Sequence, residues 1–302
     1  MWPRWKDFGR RRHRQGSLKI AGKYFSDIAG SREASRLPQV VLWAWERRED
    51  LRFLGPGKQG VAFLARTIQL RSLHAGNGAT DSGIEMRPRL QPLIVAEGTP
   101  LMAVVRIESS NDLWHQGSHQ GAQTASAPAA PLYTEAQRER VAAMAVDAAR
   151  LPRVEALQID FDATEREQAF YGALLEDVRR RLPREMPLSI TALASWCIGD
   201  PWLERLPPGT IDEAVPMLFR MGPDGIDIAS YLESGREFGP RVCRSSLGVS
   251  TDEPFSSALL NGKIQPNTAS WRTKRIYIFS PKPWAELDAN AVTAEVGKWH
   301  RE

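Results

Sequence analysis

The chain has 302 residues, 42% of them hydrophobic and 25% charged, a composition that suits a soluble globular protein of one large domain or two small ones. No apolar run approaches the roughly 18 residues of a transmembrane helix, and two cysteines are too few for a disulfide framework. The net charge of +4 is unevenly spread: residues 1–37 carry ten Lys/Arg and three Asp/Glu, so the remainder is mildly acidic.

Residues 1–37 read as a solvated, disordered basic tail, and residues 38–302 as the folded domain. The run Gly9–Arg14 could touch nucleic acid or anionic lipid, with nucleic acid the lesser expectation. No apolar stretch follows its arginines, so it is not an intact signal peptide. The chain as written is expected in the cytoplasm, or in the cell envelope if an export region is incomplete.

After Pro38, strand-like and helix-like pieces alternate. Gln39–Trp45 is a first buried strand, Glu46–Leu54 a short helix, and Gly60–Ala65 a second strand. Thr67–Leu73 and Ile84–Leu93 pattern as a hairpin around Gly76-Asn77-Gly78, in place of the usual second helix. Leu101–Ile107 is a third strand. Ser109–Pro131 is a polar loop of a length that suits a lid or a disordered segment. Thr134–Leu151 is an amphipathic helix with Thr134 as its N-cap. Strand Val154–Asp162 and helix Thr164–Leu182 follow, then strand Leu188–Ala194 and a Trp-rich loop with a helical turn near Pro201–Leu206. Ala214–Met221, Arg241–Val249 and Arg275–Phe279 complete eight strands, with helices at Ile226–Phe238 and Leu287–His300. Eight strands in a β–α alternation over this length predict a (β/α)8 TIM barrel with a hairpin insertion after strand 2. An open doubly wound sheet is the runner-up, without the glycine-rich phosphate turn of its dinucleotide-binding form.

The chemistry concentrates at strand ends. Side chains alternate along a strand, so Gln158, Asp160 and Asp162 share one face and Leu157, Ile159 and Phe161 the other. Two carboxylates at the C-terminal end of an apolar strand that runs into a helix stand where an α/β barrel keeps its active site. On the third strand Arg106 and Glu108 share a face, and Glu108 is the first candidate to partner Asp162. Carboxylates on adjacent strands are what glycoside hydrolysis needs: one protonates the leaving oxygen, the other attacks or activates water. An Arg106–Glu108 ion pair at the rim is the plain structural alternative. Asp252, Glu253 and Glu46 are further carboxylates at strand ends. Trp45, Trp196 and Trp284 could stack on a sugar, or pack in the core. His115 and His119 have no third ligand in reach, so no metal site is expected. Cys197 and Cys243 are expected as free thiols at opposite ends of the barrel.

Several blocks resemble an uncharacterised bacterial domain family among TIM-barrel glycoside hydrolases: VVLWAWERREDLRFL at 40–54, LQIDFDAT at 157–164, PLSITALASWC at 187–197, DEAVPMLFRMG at 212–222 and RIYIFSPKPW at 275–284. A looser likeness is to chitinase-type glycosidases, whose fourth strand ends in alternating acids closed by a glutamate. Here the string is Asp160, Asp162 and Thr164, with Glu165 displaced by one, which counts against that family's substrate-assisted mechanism. Met217 and Phe219 are similar to the methionine and aromatic of its sixth strand.

The resulting expectation is a carbohydrate-active, glycoside hydrolase-like enzyme of O-glycosyl bonds. Asp162 would work with Glu108 or Asp160, while Arg106 and Arg220 orient substrate or hold carboxylates ionised. Trp45, Trp196, Met217, Asp252 and Trp284 complete the expected substrate-binding set. No cofactor is expected, and the partner is a carbohydrate. The alternative is a non-catalytic barrel that binds polysaccharide or a protein partner.

Overall fold

A computed structural model describes residues 37–71, 83–109, 133–261 and 274–299. The basic tail, the Gly76-Asn77-Gly78 turn, the polar loop with His115 and His119, and Trp271 lie outside the described residues. In chain order the strands and helices are β1 (Val40–Ala44), β2 (Glu49–Leu51), β3 (Gln59–Leu70), β4 (Ile84–Pro88), β5 (Leu93–Val95), β6 (Leu101–Ser109), α1 (Glu135–Ala149), β7 (Val154–Asp160), α2 (Gln168–Arg181), β8 (Leu188–Leu193), β9 (Glu213–Met217), α3 (Gly225–Glu233), β10 (Ser246–Ser250), α4 (Pro254–Leu260), β11 (Arg275–Phe279) and α5 (Glu286–Trp299).

Eight parallel strands close into a barrel. β3, β6, β7, β8, β9, β10 and β11 pair in sequence, and β1 closes the ring by pairing with both β11 and β3. Alternation decides the two faces of each strand. Leu42, Leu157, Ile159, Ile190 and Ile276 turn outward into one large core shared with the helices. Val41, Trp43, Ala62, Met102, Val104, Ala156, Val215 and Tyr277 turn inward and fill the barrel. The helix α1 begins at Thr134 through a reciprocal cap in which Thr134 and Gln137 each bond the other's backbone.

The second strand and the hairpin are joined differently from the sequence expectation. β3 is a single strand of 12 residues. Its first half pairs with β1; its second half rises above the barrel and pairs antiparallel with β4. The register against β6 slips by one residue between Leu64 and Arg66. Glu46–Leu54 is not a helix: Glu49–Leu51 pairs with β5 in a separate two-stranded sheet. Glu49 is buried there because Arg47 and the Trp284 backbone N–H satisfy its carboxylate, at 2.6 and 3.0 Å. Helix α4 is an element that the alternation pattern did not reveal.

The cysteines correct a further expectation. Cys197 and Cys243 are joined in a disulfide, with Cα atoms 5.9 Å apart. β10 starts only at Ser246, so Cys243 sits in a short 3₁₀ turn before it. No full helix follows β8; the chain makes two 3₁₀ turns, Ala194–Cys197 and Pro201–Arg205, that lie over the outer layer against α2. Cys197 thereby leaves the mouth and meets Cys243, and its carbonyl accepts from Gly239 N–H nearby.

Candidate active site at the barrel mouth

The C-terminal ends of the strands surround a mouth with an aromatic floor. Trp43 plugs the barrel below it, and its indole N–H donates to Gln158 Oε1 at 2.9 Å. Gln158 donates to Ser189, Ser189 donates to Glu213, and Tyr277 and Arg275 also donate to Glu213. The Trp43 indole, Gln158, Ser189, Glu213 and Tyr277 thus satisfy one another inside the barrel, which is the condition for keeping such groups there. Burial lowers the Arg275 pKa, but the Glu213 charge outweighs that and holds it above its ordinary value. Above this plug the rings of Phe219 and Phe279 stack, 5.9 Å apart and 6° from parallel. Trp45 meets Phe279 edge-on at 6.2 Å, and Trp43 meets Phe219 edge-on at 6.1 Å. Trp45, Phe219, Phe279 and Met217 are all half-buried, each with part of its surface open to solvent.

Charged groups ring the floor. Arg106 lies over Trp45, 5.7 Å from the ring centre. Its Nε donates to Glu108 at 3.0 Å and its Nη1 to Asp160 at 3.4 Å. Asp160, 6% exposed, also accepts from Thr191 Oγ1 at 2.6 Å. Glu108 accepts in addition from Gln69 at 3.0 Å and stands 3.5 Å from Arg87. Burial works to lower the Arg106 pKa; the charges of Asp160, Glu108 and Asp162 override it and hold the guanidinium above its ordinary value. Asp162 itself is exposed, beyond the end of β7, where Ala163 N–H donates to the Phe161 carbonyl at 2.8 Å and turns the chain out of the strand.

Across the floor, Arg220 Nη2 stands 3.8 Å from Asp252 Oδ2 and over the Phe279 ring at 5.4 Å. Ser250 donates its hydroxyl to Asp252. Arg220 has φ +52°, the left-handed region that costs a residue with a Cβ about 1–2 kcal/mol. Such strain collects at functional sites.

The structure brings Trp45, Arg106, Glu108, Asp160, Asp162, Met217, Arg220 and Asp252 to one mouth. Trp196 and Trp284 stand apart. Trp196 is 3% exposed and packs on Trp202 and Tyr171 in the outer layer. Trp284 is 5% exposed and spends its indole N–H on the Trp43 carbonyl. Neither offers a free ring face to a ligand. Glu46 accepts from the Leu90 and Gln91 backbone N–H groups and so ties the hairpin to the end of β1. Arg89 reinforces that join by donating to the Ala44 and Trp45 carbonyls. Thr164 donates both its N–H and its hydroxyl to buried Glu167, each at 2.7 Å, and so opens the turn into α2. Glu165 is exposed on that turn. Among the described residues no cluster of three His, Cys, Asp or Glu could hold a metal ion.

Sequence reasoning missed Phe279 and Gln69 and gave Phe219 little weight. The signal for Phe279 was present: Arg275, Tyr277 and Phe279 alternate on one face of β11, as Gln158 and Asp160 do on β7. Gln69 could not be found this way, because the register slip in β3 reverses the faces beyond it.

A closed ring of eight parallel strands with polar groups gathered at its C-terminal mouth is the TIM-barrel architecture. The solved structures similar to this chain include a putative chitinase A from Streptomyces coelicolor, 12% identical, spanning 87% of this chain and 98% of that one at a TM-score of 0.50. They also include a family GH18 chitinase from Chromobacterium violaceum, at 10% identity, 89% and 86% coverage and a TM-score of 0.48. A third is the catalytic domain of a family GH18 chitinase from the fern Peteris ryukyuensis, at 10%, 86% and 98%, and 0.49. No protein-family model and no curated protein matches the chain. The likeness is one of fold.

Proposed function

We propose that the mouth binds a saccharide across the Trp45–Phe279–Phe219 floor and hydrolyses a glycosidic bond, with Asp162 as acid and Glu108 as nucleophile or base. The observation that carries this reading is the half-exposed aromatic floor ringed by carboxylates at the catalytic end of the barrel. Sugar rings present apolar C–H faces to aromatic surfaces while their hydroxyls need charged or polar rims. Glu108 is gripped by Arg106, Gln69 and Arg87, which suits the partner that works as an anion. Asp162 is open to solvent at the end of β7, where its carboxyl is accessible to a seated saccharide. Asp160, held by Thr191 and Arg106, orients the pair from below.

The second reading, a non-catalytic saccharide-binding barrel, is favoured by Thr164, which stands where chitinase-type barrels carry their acid and is engaged in starting α2. One experiment separates the two. Polysaccharides and aryl glycosides are screened for turnover and for binding with the unaltered chain, Asp162→Asn and Glu108→Gln. Hydrolysis predicts a loss of kcat of about 10²–10⁴-fold in Asp162→Asn with binding largely retained. Binding without turnover in the unaltered chain would leave only the second reading, and absence of both would sink the carbohydrate assignment.

A further inference from the structure

We infer that the mouth continues onto β4 as an additional saccharide-binding wall outside the barrel ring. This rests on the saccharide reading of the mouth and extends it to longer chains.

The wall is made by the slip in β3. Before it, β3 pairs with β1 and points Ala62 into the barrel. One extra residue near Ala65 then shifts the phase, so that Thr67 and Gln69 turn to the mouth while Ile68 and Leu70 turn into the outer core. A bulge at a barrel rim commonly re-aims side chains in this manner. Without it, Ile68 and Leu70 would line the opening, because a one-residue slip reverses every side chain of a strand.

Above the rim β4 takes the place of β1 beside β3. Directly opposed residues of an antiparallel pair share a face, so Arg87 joins Thr67 and Glu85 joins Gln69. β6 continues both rows: Thr67 is opposite Arg106 and Gln69 opposite Glu108, and Arg106 is opposite Asp160 of β7. The result is one polar surface, Arg87–Thr67–Arg106–Asp160 below and Glu85–Gln69–Glu108 above. Its members are linked by Gln69–Glu108 at 3.0 Å, Arg87–Glu108 at 3.5 Å and the ion pair of Arg71 with Glu85. From β4 to β7 it spans three strand spacings, about 14 Å.

Exposure separates the two faces. The Arg87, Arg71 and Glu85 side chains are 54%, 58% and 41% exposed, whereas Ile68, Leu70 and Ile107 on the opposite face are buried. A solvated lattice of alternating donors and acceptors, continuous with an aromatic floor, suits the hydroxyls of further sugar units of an unbranched oligosaccharide. It does not suit an apolar ligand, for which it offers no surface.

The test is calorimetry with the disaccharides and pentasaccharides of the cellulose and chitin series, on the unaltered chain, a Glu85→Ala/Arg87→Ala double variant and Thr67→Val. The unaltered chain is expected to bind one pentasaccharide at least about tenfold more tightly than its disaccharide, as one or two extra polar contacts would give. Both variants are expected to bring that ratio to within about twofold of unity, with an unchanged thermal midpoint as evidence that each has folded. Thr67→Val keeps the β-branched shape and carries the test if the double variant fails to fold. Variants that retain the length dependence, or an unaltered chain with none, would overturn the wall and leave the mouth reading standing. No binding of any oligomer would overturn both.

Discussion

Gly248 faces the barrel interior on β10, and the space a side chain would need there is taken. A Cβ added to it would lie 2.9 Å from Trp43 Cη2, 3.3 Å from Cζ3 and 3.4 Å from the Pro216 carbonyl. Trp43 cannot easily yield. Its N–H is held by Gln158, its ring rests on Tyr277 at 5.4 Å, and its edge abuts Phe219. Overpacking a fixed core costs about 1–3 kcal/mol, and the rigid ring puts Gly248→Ala toward the upper end. Alanine in a strand regains about 0.5–1 kcal/mol relative to glycine, so the net loss is about 1.5–2 kcal/mol. For a domain of this size that lowers Tm by roughly 3–8 °C. Urea denaturation of Gly248→Ala, Trp43→Phe and the double variant measures it. Phenylalanine has no atoms where Cη2 and Cζ3 sit, so Gly248→Ala becomes harmless in that background and the cycle shows a favourable coupling of about 1–2 kcal/mol. A stabilising or neutral Gly248→Ala in the unaltered chain, or additivity in the cycle, would refute the idea that Trp43 is a fixed plug beneath the floor.

Two further outcomes follow from groups outside the mouth. Tyr171 is buried, and its hydroxyl has no hydrogen-bond partner among the described residues. Tyr171→Phe is therefore expected to gain about 1 kcal/mol at neutral pH, since an unsatisfied buried hydroxyl is a cost. Burial, with the Asp160 and Asp162 charges, also pushes the Tyr171 phenol well above its ordinary value. The folded state keeps this proton while the unfolded state releases it from about pH 10, so the stability is intact below pH 10 and falls above it by about 1.4 kcal/mol per pH unit. Denaturation from pH 7 to 11 should show that share of the alkaline loss missing in Tyr171→Phe; an unchanged slope would contradict the assignment. The Cys197–Cys243 bond closes a loop with a sequence separation of 46, for which chain entropy gives about 4 kcal/mol. Reduction, or Cys197→Ser with Cys243→Ser, should lower stability by about that amount; two reactive thiols in the native oxidised protein would disprove the bond.

Much of the site was legible from alternation alone. Gln158 and Asp160 share the inward face of β7, with Asp162 just beyond its end, and Arg106 and Glu108 share that of β6, because strand side chains repeat every two residues whatever the fold. That Arg106 bonds both Glu108 and Asp160 depends on β6 lying beside β7 in this register. Trp196 was misjudged for a different reason. Its place after β8 suggested the mouth, but the connection turns outward and packs the indole under α2. Cys197 follows the same path to reach Cys243 in the turn before β10, so their pairing was hidden by the same missing helix.

The sequence by itself determined the order of the eight barrel strands and, outside β3, which residues of each strand share a face, since those follow from local backbone geometry. Only the tertiary structure decided that Trp45, Phe219 and Phe279, from three distant strands, form one floor, and that Thr67 and Gln69 turn toward the mouth. The physical reason is that closure and register are set by packing over the whole ring. A single extra residue at Ala65 reverses a face without leaving any mark in the hydrophobic pattern that a one-dimensional reading could separate from a turn.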